Sequence, residues 1–142
     1  MSETKKKKKK VIISVGKRKR AVARASIREG SGKVRINTVP LDLITPRYKQ
    51  LRIKEALLLA GERPKTVDIS VSVHGGGVWG QADAVRTAIA NALVDFYRDE
   101  NLRGMYHEYD RSILISDPRR TEPHKPSRST AGPRRTKQQS KR

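Results

Sequence analysis

Lysine and arginine carry the chemistry this sequence can offer, and their spacing suits phosphate. Lys17, Arg18, Lys19 and Arg20 run consecutively, and Arg24 and Arg28 follow at intervals of four. A second set fills residues 117–142, where Arg119, Arg120, Lys125, Arg128, Arg134, Arg135, Lys137, Lys141 and Arg142 face only Asp117 and Glu122. Pro118, Pro123, Pro126 and Pro133 are spread among them, and Ala131 is the one apolar residue. Such a segment cannot bury enough surface to offset about 1–2 kcal/mol of backbone entropy per residue, so alone it should be disordered. Its order must come from a partner. The prolines hold it extended and the spaced cations suit a polyanion, which favours nucleic acid over a membrane or an acidic protein.

Other chemistries fare worse. Gly75, Gly77 and Gly80 match G-x-G-x-x-G between a predicted strand and a predicted helix, the setting of the dinucleotide fingerprint. That fingerprint also needs an acid about 20 residues on, at the end of a second parallel strand. Asp95 has the distance but falls within the predicted helix, and the chain has little room for further βα units. Two readings of the loop remain. Its glycines either permit a tight turn and close packing, or they leave N–H groups and a helix N-terminus free for a phosphate of a nucleic acid. The charge of the chain favours the second. His107-Glu108-Tyr109-Asp110 resembles a metal cluster only superficially, since adjacent residues rarely converge on one ion and His74 and His124 sit in other segments. No nucleophile, base and orienting group share a suitable spacing, so no catalysis, metal or cofactor is expected.

Composition sets the bounds for these residues. The 142-residue length fits one domain plus appendages, and 33 Lys and Arg against 14 Asp and Glu give a net charge of +19. Residues 1–10 hold six lysines against one glutamate, and 117–142 hold nine cations against two acids, so basic arms flank a moderately basic body at 11–116. Electrostatics alone would draw such a chain to phosphate backbones. There is no cysteine, which removes disulfides, Cys-based zinc sites and a thiol nucleophile. No apolar run approaches the roughly 20 residues that span a bilayer. Residues 11–15 are too short for the apolar region of a signal peptide, so a soluble cytoplasmic protein is the expectation.

The elements that position these residues can be read in order. Residues 1–10 read as a disordered basic arm, either a solvated charge run or one that seeks phosphate. Residues 11–15 are β-rich, Gly16 permits a bend, and 17–20 interrupt the apolar pattern. In 21–28, Ala21, Ala23, Ala25 and Ile27 take one face while Val22, Arg24, Ser26 and Arg28 take the other. Glu29-Gly30-Ser31-Gly32 is a turn before the alternating residues 33–37, so the two runs predict a β-hairpin with Val34 and Ile36 in the core. Arg24 and Arg28 would then share a face with Lys33 and Arg35, where like charges repel unless something anionic lies over them. The bland alternative is a solvated face.

A short helical turn is expected from Pro40 to Ile44. Thr45-Pro46 signals the start of a helix running toward Ala60, with Leu51, Ile53, Leu57 and Leu58 as apolar stripes and Gly61 as C-cap. Val67, Ile69, Val71 and Val73 alternate with Asp68, Ser70, Ser72 and His74 in the clearest strand. A helix should follow from Gln81 to about Arg98, with Ala82, Val85, Ile89, Ala92, Leu93 and Phe96 on its apolar face and Asp83, Arg86, Thr87 and Asp95 on its polar one. Residues 101–109 read as a polar connection, and Ser112-Ile113-Leu114-Ile115 as a last short strand.

Taken together, several motifs resemble one family. They are Gly16-Lys17-Arg18-Lys19 with Ala21-Val22-Ala23-Arg24, Val34-Arg35-Ile36-Asn37 after a glycine turn, and Gly75-Gly76-Gly77 with Gly80-Gln81-Ala82. Arg86, Ile89-Ala90, Ala92-Leu93, Tyr109-Asp110-Arg111, Asp117-Pro118-Arg119-Arg120 and Ser140-Lys141-Arg142 complete the set. In this order, and covering nearly everything from Val11 onward, they resemble the small-subunit ribosomal protein number nine family. Glu122-Pro123-His124-Lys125-Pro126 is similar to its archaeal branch, whereas Lys5 to Lys10 lie outside the family pattern. The resemblance implies an α+β fold like the second domain of ribosomal protein number five, a mixed sheet with helices packed on it. It also implies a left-handed βαβ crossover, a hand that pattern reading would miss because such crossovers are nearly always right-handed. It further implies a place in the head of the small subunit, among neighbouring head proteins. The body would lie on ribosomal RNA and the tail would thread to the P site, where Ser140, Lys141 and Arg142 match the residues that reach the tRNA anticodon stem-loop. The body is then expected to dock through Lys17, Arg18, Lys19, Arg20, Arg24, Arg28, Gly75, Gly76 and Gly77. The alternatives are a free-standing nucleic-acid compaction protein and, far behind, a nucleotide-dependent enzyme.

Overall fold

The computed structural model describes residues 11–121 and Pro123. Five strands form one mixed sheet in the order β1-β2-β5-β3-β4. They are β1 (Val11–Arg18), β2 (Ala21–Glu29), β3 (Val34–Ile36), β4 (Val39–Pro40) and β5 (Val67–His74). Only the β3–β5 pair is parallel; the other pairs are antiparallel. Three helices complete the architecture: α1 (Arg47–Leu59), α2 (Val78–Tyr97) and α3 (Glu100–Tyr109). The fold is α+β, and α1 lies on the connection between the parallel neighbours β3 and β5.

Period-two alternation decides which sheet face is covered. Ala21, Ala23, Ala25 and Ile27 of β2 are fully buried, as are Val67, Ile69, Val71 and Val73 of β5 to within a few per cent. The alternate residues look out from an open face. The alanines matter because small side chains let a helix lie close, and α2 packs across β1 and β2. Closest of all is Gly16, where an added Cβ would lie 2.1 Å from the carbonyl oxygen of Ala84 and 2.6 Å from the nitrogen of Ala88. Gly16 is therefore a packing residue inside β1 rather than the bend expected from its sequence. β1 continues through Lys17 and Arg18 because their neighbours in β2, Val22 and Ala21, keep the ladder intact.

The expected pairing of residues 21–28 with 33–37 does not occur. β2 pairs instead with β1 through a two-residue turn at Lys19-Arg20, and β5 enters between β2 and β3. β5, apolar on its whole inner face, can be buried centrally, whereas three-residue β3 cannot cover β2 along its length. Beyond β3, Asn37 extends the ladder with its side chain. Its amide nitrogen donates to the Val73 carbonyl at 2.9 Å, and its oxygen accepts from the Val73 N–H at 2.9 Å.

The helices depart from the sequence reading in four ways. α1 begins at Arg47 with Pro46 as its cap residue, so Thr45 does not cap it; Gly61 follows the C-cap Ala60 with a left-handed φ of +65°. α2 starts at Val78, three residues before Gln81, with Gly77 in an extended conformation as its N-cap. Residues 100–109 form α3 instead of a connection. Asp99 caps it by accepting from the N–H groups of Asn101 and Leu102, and Leu102 and Tyr106, four apart, are fully buried. Burial pushes the Tyr106 phenol far above its ordinary pKa, and its hydroxyl donates to the Ala56 carbonyl at 2.7 Å. Finally, Ser112-Ile113-Leu114-Ile115 is no strand. Arg111–Ile113 is a 3-10 turn with Ile113 buried, and Thr87 and Asn91 of α2 donate to the carbonyls of Ser112 and Leu114.

Because α2 is covered by the sheet, by α1 and by this last segment, its predicted polar face is partly interior. Arg86 and Thr87 are only 2% and 3% exposed. Arg86 donates to Glu55 at 2.8 Å, to Ser112 Oγ at 2.8 Å and to Asp110 at 3.3 Å, joining α1, α2 and the 3-10 turn. Burial opposes ionisation of Asp110. The Ser112 hydroxyl and amide and the Arg86 charge outweigh it and hold the carboxyl below its usual range. Conversely, Leu51 and Leu58, members of the apolar stripes of α1, stand 54% and 78% exposed.

Candidate nucleic-acid interface

One end of the sheet gathers three segments that are far apart in sequence. The first is the β1–β2 turn with Lys19 and Arg20, both exposed. The second is the glycine loop leading into α2. The third is the root of the C-terminal segment, residues 116–120. Their proximity is direct: an added Cβ on Gly75 would lie 2.6 Å from the Arg20 carbonyl oxygen, and one on Gly80 would lie 3.4 Å from that of Arg18. The Lys17 N–H donates to Ser116 Oγ at 3.4 Å, and Arg18 pairs with Asp117.

Local conformation explains each glycine. Gly75 and Gly76 have φ of +76° and +66°, and a Cβ on Gly76 would come within 3.0 Å of the Ala21 nitrogen. These two answer to the turn-and-packing reading. Gly77 differs: its φ is −97° and nothing lies within 4 Å of an added Cβ. It caps α2 without a side-chain acceptor, so the amides of the first turn keep their hydrogen-bonding capacity. A 20-residue helix also places its positive dipole end here. Lys49 reaches the same corner, its Nζ donating to Gln81 Oε1 at 3.2 Å. The loop thus combines packing at Gly75 and Gly76 with an exposed helix N-terminus at Gly77 that no side chain caps.

The cations divide by what already holds them. Lys19 and Arg20 project at the turn. Arg18 points to the helix side of β1 and meets Asp83 at 3.7 Å as well as Asp117. Arg119 folds back on Asp117 at 2.6 Å, and Arg120 donates to the Asp117 carbonyl at 3.1 Å. Asp117 therefore fixes the direction in which the chain leaves the body, beside the turn and the glycine loop. Lys17, Arg24 and Arg28 lie on the open sheet face. There Val15 and Ser72 flank Arg24, and Val11 and Asp68 flank Arg28.

Arg35 and Lys33 join Arg28 around a hollow on that face, as expected, although β5 intervenes. The anion that relieves them is internal. Asp68 accepts from the N–H groups of Ser31 at 2.9 Å and Lys33 at 3.1 Å, and these bonds, with Arg28 and Lys33 nearby, hold its carboxyl below the usual range. Sequence reasoning missed Asp68 because it assigned β2 the wrong neighbour. It also missed the buried role of Arg86, for which the flanking Ala84, Val85, Ala88 and Ile89 were the available signal.

Lys125, Arg128, Arg134, Arg135, Lys137, Ser140, Lys141 and Arg142, like residues 1–10, lie outside the described residues. Among those described, no group of three or more His, Cys, Asp or Glu side chains could hold a metal ion, and no helix is long and apolar enough to cross a membrane.

Comparison with known proteins bears on the same residues. The family described as Ribosomal protein S9/S16 matches residues 16–142. The chain is 49% identical over 131 residues to "Small ribosomal subunit protein uS9" of Methanococcus maripaludis strain S2, covering 92% of this chain and 98% of that one. The like-named protein of Methanococcus vannielii is 50% identical over the same shares, and that of Desulfurococcus amylolyticus 49% over 92% and 94%. The basic turn, the glycine loop and the anchored C-terminal segment thus sit in a chain that belongs to the ribosomal protein S9/S16 family, a family of structural proteins and not of enzymes.

Proposed function

We propose that this chain is a structural component of the small ribosomal subunit in the cytoplasm and docks on ribosomal RNA through the basic end of its sheet. The observation that carries the reading is the convergence of the Lys19-Arg20 turn, the uncapped N-terminus of α2 and the root of the basic tail at one corner. Each brings phosphate-binding groups: the exposed cations Lys19 and Arg20, the N–H groups of the first turn of α2, and Arg119 and Arg120 at the tail root. Together they suit a phosphate backbone read by position and shape. Arg24 and Arg28 extend that surface over the open sheet face. Residues 117–142 then continue along RNA, with Arg119, Arg120, Lys125, Arg128, Arg134, Arg135 and Lys137 lining the route. At the end, Ser140, Lys141 and Arg142 meet the anticodon stem-loop of the P-site tRNA.

The test is the salt dependence of binding to small-subunit RNA. The log-log slope should be about −0.7 to −0.9 per phosphate neutralised, and replacing Lys17, Lys19 and Arg20 together by alanine should make it shallower by about 2 to 3. An unchanged slope would remove the turn from the interface. A free-standing compaction protein would instead wash off the small subunit at high salt.

A further inference from the structure

Side-chain bonds, not a backbone ladder, hold the root of the tail. Residues 116–121 belong to no helix or strand, so their course depends on what their side chains meet. Asp117 is the central group. Its carboxylate, 17% exposed, accepts from Arg18, whose side chain is 26% exposed, and its Oδ1 also accepts from the Arg119 N–H at 2.9 Å. The Arg119 side chain, 80% exposed, folds back over this pair from outside. A part-buried pair is screened less by salt than a surface pair, and it loses more when one partner is removed. Pro118 follows at once. A residue before proline is confined to extended backbone and proline fixes its own φ, so the direction set at Asp117 is carried into the residues beyond.

Arg18 is the other half of the clamp. The sequence groups it with its exposed neighbours Lys19 and Arg20, yet its guanidinium turns to the helix side of β1 and meets Asp83 at 3.7 Å as well as Asp117. Asp83 in turn accepts from Arg52 of α1 at 2.9 Å. Charge therefore alternates from α1 through α2 and β1 to the tail, in the order Arg52, Asp83, Arg18, Asp117, Arg119. Arg18 has a carboxylate on either side, which leaves it little to offer a phosphate.

We infer that Arg18 and Asp117 are positioning residues: their ion pair aims the tail from the body toward the P-site tRNA, and Arg18 is not itself a phosphate ligand. The inference rests on the P-site reading of the tail proposed above.

The test uses Asp117→Asn and Arg18→Gln, singly and together, in the full chain assembled into small subunits. Asp117→Asn keeps an oxygen for the Arg119 N–H and removes the charge. P-site tRNA affinity should fall about tenfold in each single variant, because a misdirected tether lowers the effective concentration of the terminal residues at the tRNA. The double variant should fall no further, since either change alone breaks the pair. Binding of the Arg18→Gln chain to protein-free small-subunit RNA should keep its log-log salt slope, whereas loss of a phosphate contact would make it shallower by about 0.7–0.9. Additive losses in the double variant, a shallower slope, unchanged tRNA affinity or failure of the variants to enter subunits would overturn the positioning role. Deleting Lys141 and Arg142 separates the two levels. A deletion that weakens tRNA binding where Asp117→Asn does not overturns the positioning role alone, and a deletion without effect overturns the P-site reading with it.

Discussion

Gly16→Ala is the smallest change that tests how α2 is held on the sheet. The added Cβ would sit 2.1 Å from the Ala84 carbonyl oxygen, whereas ordinary contact begins at 3.4 Å, so β1 and α2 would have to separate by about 1.3 Å. Both obstructing atoms belong to helix backbone and cannot rotate away. The helix that must move buries Ala84, Val85, Ala88, Ile89 and Leu93 against the same core, so the displacement loosens several contacts at once. Overpacking of this kind costs about 1–3 kcal/mol, from which the usual gain of about 0.5–1 kcal/mol for alanine over glycine in a strand must be subtracted. Because the clash is with backbone, the upper end of that cost, about 3 kcal/mol, applies and the expected net loss is about 2 kcal/mol, read from urea unfolding of the full-length chain. Gly104→Ala provides the control. It lies in α3 with nothing within 4 Å of an added Cβ, and there alanine should stabilise by about 0.5–1 kcal/mol. A neutral or stabilising Gly16→Ala would refute the packing argument.

Three further outcomes follow from named groups. Arg86→Ala should destabilise by about 3 kcal/mol in the same assay because it leaves Glu55 and Asp110 without their shared cation, and Arg86→Lys should not rescue, since one ammonium cannot reproduce the fork. Asp68, Asp99 and Asp110 all have lowered carboxyl pKa values, through bonds from Ser31, from Arg63 and, against the burial of Asp110, from Ser112. Their contribution is fully present above the unfolded carboxylate pKa near 3.9 and is lost as pH falls through the lowered folded values. Thermal midpoints should therefore be flat at neutral pH and drop below about pH 4; a midpoint that rises on acidification would contradict this. Deleting Lys141 and Arg142 should weaken P-site tRNA binding while leaving the chain's incorporation into subunits intact, and equal tRNA affinity in truncated and full-length subunits would refute the role assigned to them.

What the sequence disclosed depended on how local the determining physics was. β5 and α2 were legible because their periodicities are long and their apolar faces continuous. α3 was not, because Gly104 and the charged residues around it hide the Leu102–Tyr106 pair and the Asp99 cap. Strand order was lost for a different reason. A glycine turn after β2 suggests a hairpin, but the sheet is decided by which strand can bury its inner face, and β5 does so better than β3. The candidate site divided the same way. The cations and the glycine loop were visible as types and spacings, and the family motifs grouped them. Their meeting at one corner, and the capture of Arg18 by Asp117, are tertiary facts that no local pattern encodes. The apolar stripes of α1 were legible, but the exposure of Leu51 and Leu58 was not, because helical spacing records which residues share a face, not what covers that face.

If the β1–β2 turn and the tail root form one RNA-facing corner, both lie against the same stretch of ribosomal RNA. The natural chain has no cysteine, so Lys19→Cys and Pro118→Cys can each carry a single tethered iron chelate. Generating hydroxyl radicals from the two positions in reconstituted small subunits tests the claim most directly. Strong backbone cleavage of the same stretch of ribosomal RNA is expected from both positions. Cleavage of unrelated regions, or none from Lys19→Cys, would contradict it.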